Sequence, residues 1–377
     1  MNQPTAPKRP ANYDKAVGLV LQGGGALGSY QAGVYEALAQ SEYLPDWVAG
    51  VSIGAINAAI IAGNAPERRV ERLRAFWEGI TAPAAFWPLG PTGFAAADRA
   101  FSVLNAVMLG QPGFFAPRPP VDFLLHRKPV SYYDTAPLRA TLERLVDFDR
   151  INARGVRLSL GAVNVMTGRL HYFDNARDTI RPEHVMASGA LPPGFPAVEI
   201  NGVPYWDGGV VSNTPLRYVL EQIPRRSRLT FQVDVFHASG PVPESFDQIS
   251  EREKDIRFSS RTRRETETFS LMHDVRHNIN TLWEKLPEDL RNTPEAEFLY
   301  NFGCVTTMDI MEIIYRPGVV LGQDKDYEFS AATMRKRWDA GLEDARSALA
   351  ASPWLQPMPS ELGARTFDHW GNRTTDT

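Results

Sequence analysis

The sequence predicts an α/β fold in which a mainly parallel central sheet carries helices on both faces. The chain has 377 residues, of which 43% are hydrophobic, so it can bury a large core. A continuous apolar run at 16–21 is typical of a strand buried on both faces of a parallel sheet, and further strands are expected at 156–165 and 229–236. Helical patterns separate these strands, and strands that alternate with helices favour βαβ units.

The elements follow one another in a regular order through the first two thirds of the chain. Residues 1–14 lack an apolar core, so we expect a disordered leader rather than a secretory signal. Tyr30, Val34 and Leu38 recur at a spacing of four, which predicts a helix with one apolar stripe. A helix at 53–62 is expected to be buried on nearly every side. The other expected elements are strands at 47–50, 169–173 and 203–206 and helices at 67–79 and 215–222.

The composition changes beyond about residue 240. A dense run of both charge signs at 251–267 predicts a long exposed helix. We expect one more strand at 308–315 and a closing helix at 331–350. A tail rich in proline and polar residues follows from Ser352.

Charge and cysteine content exclude several classes of protein. The net charge is −4 without a basic face, which argues against a nucleic-acid partner. Cys304 is the single cysteine, so we expect no intramolecular disulfide and no cysteine-based metal cluster, and a cytoplasmic location fits best. The longest apolar run, at 54–63, is much shorter than the roughly 20 residues that span a bilayer. Peripheral membrane contact through a surface patch stays open.

Ser52 lies in a G-x-S-x-G motif, Gly50-Val51-Ser52-Ile53-Gly54, between an expected strand and an expected helix. A tight strand-to-helix turn holds a nucleophile exposed at the sheet edge, and the flanking glycines tolerate the strained backbone. The N-terminus of the helix adds positive potential near the serine oxygen. The alternative is a tight turn whose serine only caps the helix.

A glycine-rich loop precedes this motif and contains Gly23, Gly24, Gly25 and Gly28. It satisfies G-x-G-x-x-G, but a dinucleotide site also needs an acidic residue after the second strand, and none is present there. Bare N–H groups at a helix N-terminus can instead stabilise an oxyanion, each by about 2.7–4 kcal/mol. A tight turn with close helix packing is the structural alternative.

Asp207-Gly208-Gly209 follows the expected strand at 203–206, so its carboxylate could face Ser52 as a general base. A histidine base is disfavoured, because no candidate lies in a glycine- or proline-framed loop at a clear strand end. The candidate histidines are His237, His273, His277 and His369. His273 and His277 have the spacing of a two-histidine metal site, but a solvated helix face explains this spacing better, and we expect no metal site.

The glycine loop, the G-x-S-x-G motif about 27 residues later and the distant D-G-G resemble the patatin-like phospholipase family. The resemblance extends from about 16 to 216. It includes Ala187-Ser188 before a proline-rich loop, and Asn213 and Pro215 after D-G-G. It implies a patatin-like three-layer α/β/α sandwich, a lipid or acyl-ester substrate, and no cofactor.

The resemblance also implies a Ser-Asp dyad. Ser52 would form an acyl-enzyme, Asp207 would take its proton and later activate water, and the glycine loop would hold the oxyanion. Gly50, Gly54, Gly208 and Gly209 would support these groups. Leu27 departs from the family pattern, since many members carry a basic residue at this position. Neutral esters or thioesters are therefore as possible as phospholipids as the substrate.

The expected domains are a patatin-like catalytic domain at 15–236 and a C-terminal extension at 237–377 packed on the core. An aromatic segment rich in proline and glycine, 81–120, could form a lid or acyl tunnel within the catalytic domain. The interpretation is therefore a lipid acyl hydrolase. A non-catalytic lipid-binding protein and a dinucleotide-dependent oxidoreductase are the alternatives.

Overall fold

The computed structural model describes residues 10, 13–81, 108–119, 121, 131–317 and 325–369. Nearly all of the expected leader at 1–14 and most of the aromatic segment at 81–120 lie outside the described residues.

The described strands are β1 (Ala16–Leu21), β2 (Trp47–Val51), β3 (Ala116–Pro117), β4 (Tyr133–Asp134), β5 (Arg157–Asn164), β6 (Leu170–Asp174), β7 (Val198–Ile200), β8 (Val203–Asp207), β9 (Arg228–Asp234), β10 (Met308–Ile314) and β11 (Ala364–Asp368). The described helices are α1 (Gly28–Ala39), α2 (Ile53–Ala62), α3 (Arg69–Ile80), α4 (Ala136–Leu145), α5 (Phe148–Asn152), α6 (Pro182–Ser188), α7 (Leu216–Leu220), α8 (Phe246–Lys285), α9 (Glu288–Arg291), α10 (Pro294–Phe302) and α11 (Ala331–Ala351).

One sheet forms the centre of the described chain. Its strand order is β11-β10-β9-β1-β2-β5-β8-β7, and β6 also pairs with β5. The pairs from β11 through to β5 are parallel. The antiparallel pairs join β5 to β6, β5 to β8 and β7 to β8. The expectation of a mainly parallel sheet is therefore confirmed.

The central strand β1 shows why helices cover both faces of the sheet. Leu19 and Leu21 belong to a core that α1, α2, α3 and α11 complete. Val20 lies between them and belongs to a second core, which contains residues of α7 and Phe269 of α8. Successive side chains of a strand point to opposite faces, so a strand that is apolar at every position needs cover on both.

Helices α1 and α11 approach each other closely through two glycines. A Cβ atom at Gly33 would lie 1.9 Å from the Trp338 carbonyl oxygen, and one at Gly341 would lie 2.1 Å from the Tyr30 carbonyl oxygen. Helix α11 therefore helps to bury nearly every residue of α1. The expectation of one apolar stripe on α1 is wrong, because the helix is buried on nearly all sides. Small residues such as Gly33 permit this close packing, but they do not contribute to a hydrophobic pattern in the sequence.

We expect Gly33→Ala to lower the free energy of unfolding by about 1–3 kcal/mol, because the added methyl group would force α1 and α11 apart. Urea-induced unfolding of the variant and the wild type measures this loss. The matched control is Gly79→Ala in α3, where a Cβ would meet nothing within 4 Å. The control should be neutral or slightly stabilising, since alanine favours a helix over glycine. Equal midpoints for Gly33→Ala and the wild type would contradict the close packing.

Helix α8 is longer than the expected segment and is not exposed on every side. Glu251 and Asp255 are buried against Lys325, whose Nζ lies 3.3 Å from Glu251 Oε1 and 2.6 Å from Asp255 Oδ1. His273, expected on a solvated face, is fully buried, and its Nε2 lies 2.9 Å from the Thr306 carbonyl oxygen. The charge pattern indicates the helix but cannot reveal the distant segments that cover it.

The C-terminal part of the chain extends the central sheet. Strand β10 pairs with β9 along its whole length, and β11 pairs with β10. The sequence does not predict β11, because this edge strand has one neighbour and its residues 365–368 are only partly buried or exposed, so they carry no apolar run.

Candidate active site

Ser52 lies on a strained turn between β2 and α2. Its backbone has φ 57° and ψ −126°, a conformation that non-glycine residues adopt only when their surroundings enforce it. A Cβ at Gly50 would lie 2.2 Å from the Gly54 carbonyl oxygen, and one at Gly54 would lie 2.3 Å from the Leu21 carbonyl oxygen. The two motif glycines are therefore required by close backbone contacts. The Ser52 hydroxyl does not cap α2, which removes the main structural explanation for a serine here.

Ser188 holds the Ser52 turn from the side of α6. The Ser52 N–H donates to both the carbonyl oxygen and the Oγ of Ser188, each at 3.1 Å. The Ser188 hydroxyl in turn donates to the Gly161 carbonyl oxygen at 2.6 Å. These bonds occupy the Ser52 N–H and fix the turn against β5.

Asp207 lies at the end of β8, one strand beyond β5. The register pairs Val51 with Gly161, and Ala162 with Asp207, which brings the end of β8 to the same sheet edge as Ser52. The Asp207 N–H donates to the Ala190 carbonyl oxygen at 3.0 Å, so the proline-rich loop after α6 supports this residue.

Asp207 is 1% exposed, and its two carboxyl oxygens differ in their hydrogen bonds. Oδ1 accepts the Gly209 N–H at 2.7 Å, whereas Oδ2 is buried without a completed hydrogen bond among the described residues. Burial raises the pKa of Asp207 to about 7, against smaller opposing effects of the Ser52 hydroxyl and the Gly209 N–H. The Ser52 hydroxyl is thus near enough to lower this pKa without completing a hydrogen bond to Oδ2.

The glycines of the D-G-G turn are also fixed by close contacts. A Cβ at Gly208 would lie 2.6 Å from the Gly161 carbonyl oxygen, and one at Gly209 would lie 2.9 Å from Asn213 Oδ1. Gly209 also supplies the N–H that holds Asp207 Oδ1. Both glycines therefore support the position of Asp207.

The glycine loop presents fewer donors than the sequence predicts. The Gly23 N–H donates to the Asn213 carbonyl oxygen at 3.0 Å, and the Gly28 N–H donates to the Gly25 carbonyl oxygen. These two donors are already occupied, so we remove Gly23 and Gly28 from the expected oxyanion donors. Within the described chain, the N–H groups of Gly24 and Gly25 have no partner, and both residues line the cavity beside Ser52.

Gly28 has a packing role instead. A Cβ there would lie 2.6 Å from Ile53 Cγ1 and 3.0 Å from the Trp77 ring. The start of α1 can therefore pack tightly against α2 and α3, which fixes the loop that precedes it.

A cavity of about 100 Å³ joins these groups. Ser52, Asp207, Gly24 and Gly25 line it together with a mainly aromatic wall. The aromatic lining residues are Phe114, Phe115, Phe195, Phe236, Phe258, Tyr327 and Phe329.

Two parts of this wall bear on the sequence expectations. Phe114 and Phe115 come from the segment expected to form a lid, whose earlier aromatic residues lie outside the described ranges. Phe258 and Phe329 come from the C-terminal region, to which the sequence assigned no chemistry. No sequence motif predicts that these residues line the cavity, because the fold brings them there from distant parts of the chain.

The cavity carries few charges. Its charged lining residues in the described chain are Asp207 and Asp326, and Lys254 Nζ lies 2.5 Å from Asp326 Oδ1. Leu27 is fully buried in the hydrophobic core and does not line the cavity. No histidine belongs to the described lining.

The described residues contain no group of His, Cys, Asp and Glu arranged to hold a metal ion. None of their helices is long and apolar enough to cross a bilayer.

The family profiles that match this chain agree with the motifs. VipD from Legionella pneumophila is 15% identical in a structural match that covers 93% of this chain and 70% of that chain, with a TM-score of 0.40. No curated protein matches the sequence. A family profile described as patatin phospholipase matches residues 256–361. The profile of the patatin-like phospholipases matches residues 19–220, more than half of the chain. The chain therefore belongs to the patatin-like phospholipase family, whose members are lipid acyl hydrolases.

Proposed function

We propose that this protein hydrolyses carboxylic esters of lipids through a Ser52–Asp207 dyad, with the N–H groups of Gly24 and Gly25 as the oxyanion hole. One observation carries the proposal. Asp207 Oδ2 is a buried carboxylate oxygen with no completed hydrogen bond in the described chain, in the same cavity as the serine of a strained turn. An unpartnered buried oxygen is costly, and a proton acceptor in a reaction accounts for it.

The proposed first half-reaction transfers the acyl group to the enzyme. Ser52 Oγ attacks the ester carbonyl carbon while its proton passes to Asp207 Oδ2. The negative charge that forms on the carbonyl oxygen is stabilised by the N–H groups of Gly24 and Gly25. The tetrahedral intermediate then collapses, the alcohol leaves with the proton from Asp207, and the acyl group stays on Ser52.

The second half-reaction releases the acid. Asp207, again ionised, takes a proton from water while that water attacks the acyl-enzyme carbonyl carbon. Collapse of the second intermediate breaks the bond to Ser52 Oγ, which recovers its proton from Asp207. A base whose pKa is about 7 suits both steps, because it accepts and returns protons near neutral pH.

The aromatic wall supports an acyl chain as the group held in the cavity. Phe114 contacts Phe195 and Phe329 at ring-centre distances of 6.1 Å, and Phe115 contacts Phe195 at 5.2 Å. Such a wall binds a hydrocarbon chain by removing apolar surface from water. Phe114 and Phe115, the described aromatic residues of the segment expected to form a lid, belong to this wall.

A fluorophosphonate probe tests the proposed function, because it reacts only with an activated serine. We expect one adduct, mapped to Ser52 by peptide mass spectrometry. The labelling rate should rise with pH and level off above about 7, since Asp207 must be ionised to accept the proton. Labelling of another serine, or a rate independent of pH between 5 and 9 (roughly two units either side of that pKa), would contradict the proposal. Absence of any adduct would favour the non-catalytic lipid-binding alternative.

A further inference from the structure

We propose that Asn213 is a positioning residue that orients the oxyanion loop and joins it to the turn that carries Asp207. This inference rests on the proposed function. Asn213 lies five residues after Gly208, has 7% of its surface exposed, and lines the cavity behind Gly23.

Asn213 holds Gly23 from both sides of that residue. Its backbone carbonyl oxygen accepts the Gly23 N–H at 3.0 Å, and its side-chain Nδ2 donates to the Gly23 carbonyl oxygen at 2.7 Å. A Cβ at Gly23 would lie 2.3 Å from Asn213 Oδ1 and 3.0 Å from Ser52 Cβ. Gly23 is therefore packed between the Asn213 side chain and the proposed nucleophile.

The side-chain bond also determines where an oxyanion donor points. The Gly23 carbonyl group and the Gly24 N–H belong to the same peptide unit, which is planar and trans, so they point in opposite directions. When Asn213 Nδ2 holds the Gly23 carbonyl oxygen, the Gly24 N–H must point away from Asn213. Without this bond, the peptide unit between two glycines could rotate at little cost, because glycine tolerates most backbone conformations.

The amide oxygen of Asn213, Oδ1, lies beside the D-G-G turn. A Cβ at Gly209 would lie 2.9 Å from Asn213 Oδ1, and the Gly209 N–H holds Asp207 Oδ1 at 2.7 Å. One side chain thus contacts both the loop that would stabilise the oxyanion and the turn that would hold the base. A shift of either loop relative to the other would change this contact.

The neighbours of these two loops are anchored on helix α8. Gln22, which precedes Gly23, donates from Nε2 to Thr262 Oγ1 at 3.4 Å, and Thr214 Oγ1 lies 2.8 Å from the same atom. Gln22 Oε1 also accepts the N–H groups of Val235 and Phe236. Asn213 therefore acts within a fixed frame, so the loss of its amide should loosen the loop without displacing the surrounding chain.

The test measures the plateau rate of fluorophosphonate labelling for the wild type, Asn213→Ala and Asn213→Leu. Leucine keeps the approximate size of asparagine but has no donor. The phosphonyl oxygen of the probe occupies the proposed oxyanion site, so we expect each variant to react about tenfold to a hundredfold more slowly. The pH midpoint should be unchanged, because the hydrogen bond on Asp207 Oδ1 comes from the Gly209 N–H, which both variants retain.

Asn152→Ala is the matched control. Asn152 also makes two side-chain hydrogen bonds to backbone, with the carbonyl oxygen and the N–H of Ile180 at 2.9 and 2.8 Å, but it does not line the cavity. The control should label at the wild-type rate at a similar melting temperature. Wild-type rates in both Asn213 variants, equal losses in the control, or a moved midpoint would overturn the inference. Unlabelled wild-type protein would overturn it together with the proposed function.

Discussion

Ser52→Ala is expected to abolish ester hydrolysis, with a loss in kcat on the order of 10⁶, because the variant has no atom that can form the acyl-enzyme. Hydrolysis of p-nitrophenyl esters from acetyl to palmitoyl by variant and wild type measures the loss. Alanine removes one oxygen from a turn that is fixed by backbone contacts at Gly50 and Gly54, so the melting temperature should stay close to that of the wild type.

Ser41→Ala provides the control for this experiment. The Ser41 hydroxyl donates to the Leu38 carbonyl oxygen at 2.8 Å near the end of α1, and Ser41 does not line the cavity. Its activity should equal that of the wild type across the ester series. Substantial hydrolysis by Ser52→Ala would mean that another group attacks the ester.

Asp207→Asn is expected to lower kcat by about 10²–10⁴, because an amide cannot take the proton of Ser52. The ester assay should also lose its rise in rate between pH 6 and 8 (about one unit either side of the pKa of Asp207), which in the wild type follows the ionisation of a carboxyl group with a pKa of about 7. A variant that retained full activity would indicate a different base.

The same variant should be more stable than the wild type in alkaline solution. The folded-state pKa of Asp207 is raised from 3.8 to about 7, so folding disfavours its charge, and stability is lost as pH rises between these values. At pH 8 (above the folded-state pKa), removal of this charge should raise the free energy of unfolding by up to a few kcal/mol. At pH 3 (below both pKa values) the difference should vanish, because the carboxyl group is then neutral in both states. Urea-induced unfolding at the two pH values measures the effect, and it separates the loss of the base from damage to the fold.

The positions of Ser52 and Asp207 at strand ends could be predicted from the sequence. Each lies in a short contiguous pattern, and a buried strand such as β2 is apolar at every position, so its end can be located. Parallel pairing with β5 places the end of β2 at one edge of the sheet, whereas Asp207 reaches the same edge through the antiparallel pairing of β8 with β5, which the sequence does not indicate. The pairing of the Gly23 N–H with Asn213 could not be predicted, because it joins residues far apart in the chain.

The contribution of the C-terminal region to the cavity could not be predicted from the sequence, because it also depends on contacts between distant segments. Asp326 approaches Gly25 through its backbone, since its carbonyl oxygen accepts the Ala26 N–H at 2.8 Å. A backbone contact of this kind does not require a particular side chain, so the sequence does not indicate it. Phe258 lies in a charged segment whose pattern indicates a solvated helix, whereas in the structure its ring stacks on Phe236 and lines the cavity.

The strand order has a consequence for a chain that is still being synthesised. Gly24 and Ser52 are synthesised well before β9, so the second edge of β1 has no partner until β9 has been made, and Phe329 of the cavity wall follows later still. Domains fold as units once their contacts are available. Until Phe329 has been synthesised, the nascent protein thus carries Ser52 without a complete cavity wall, and the order of synthesis delays the formation of the proposed acyl pocket.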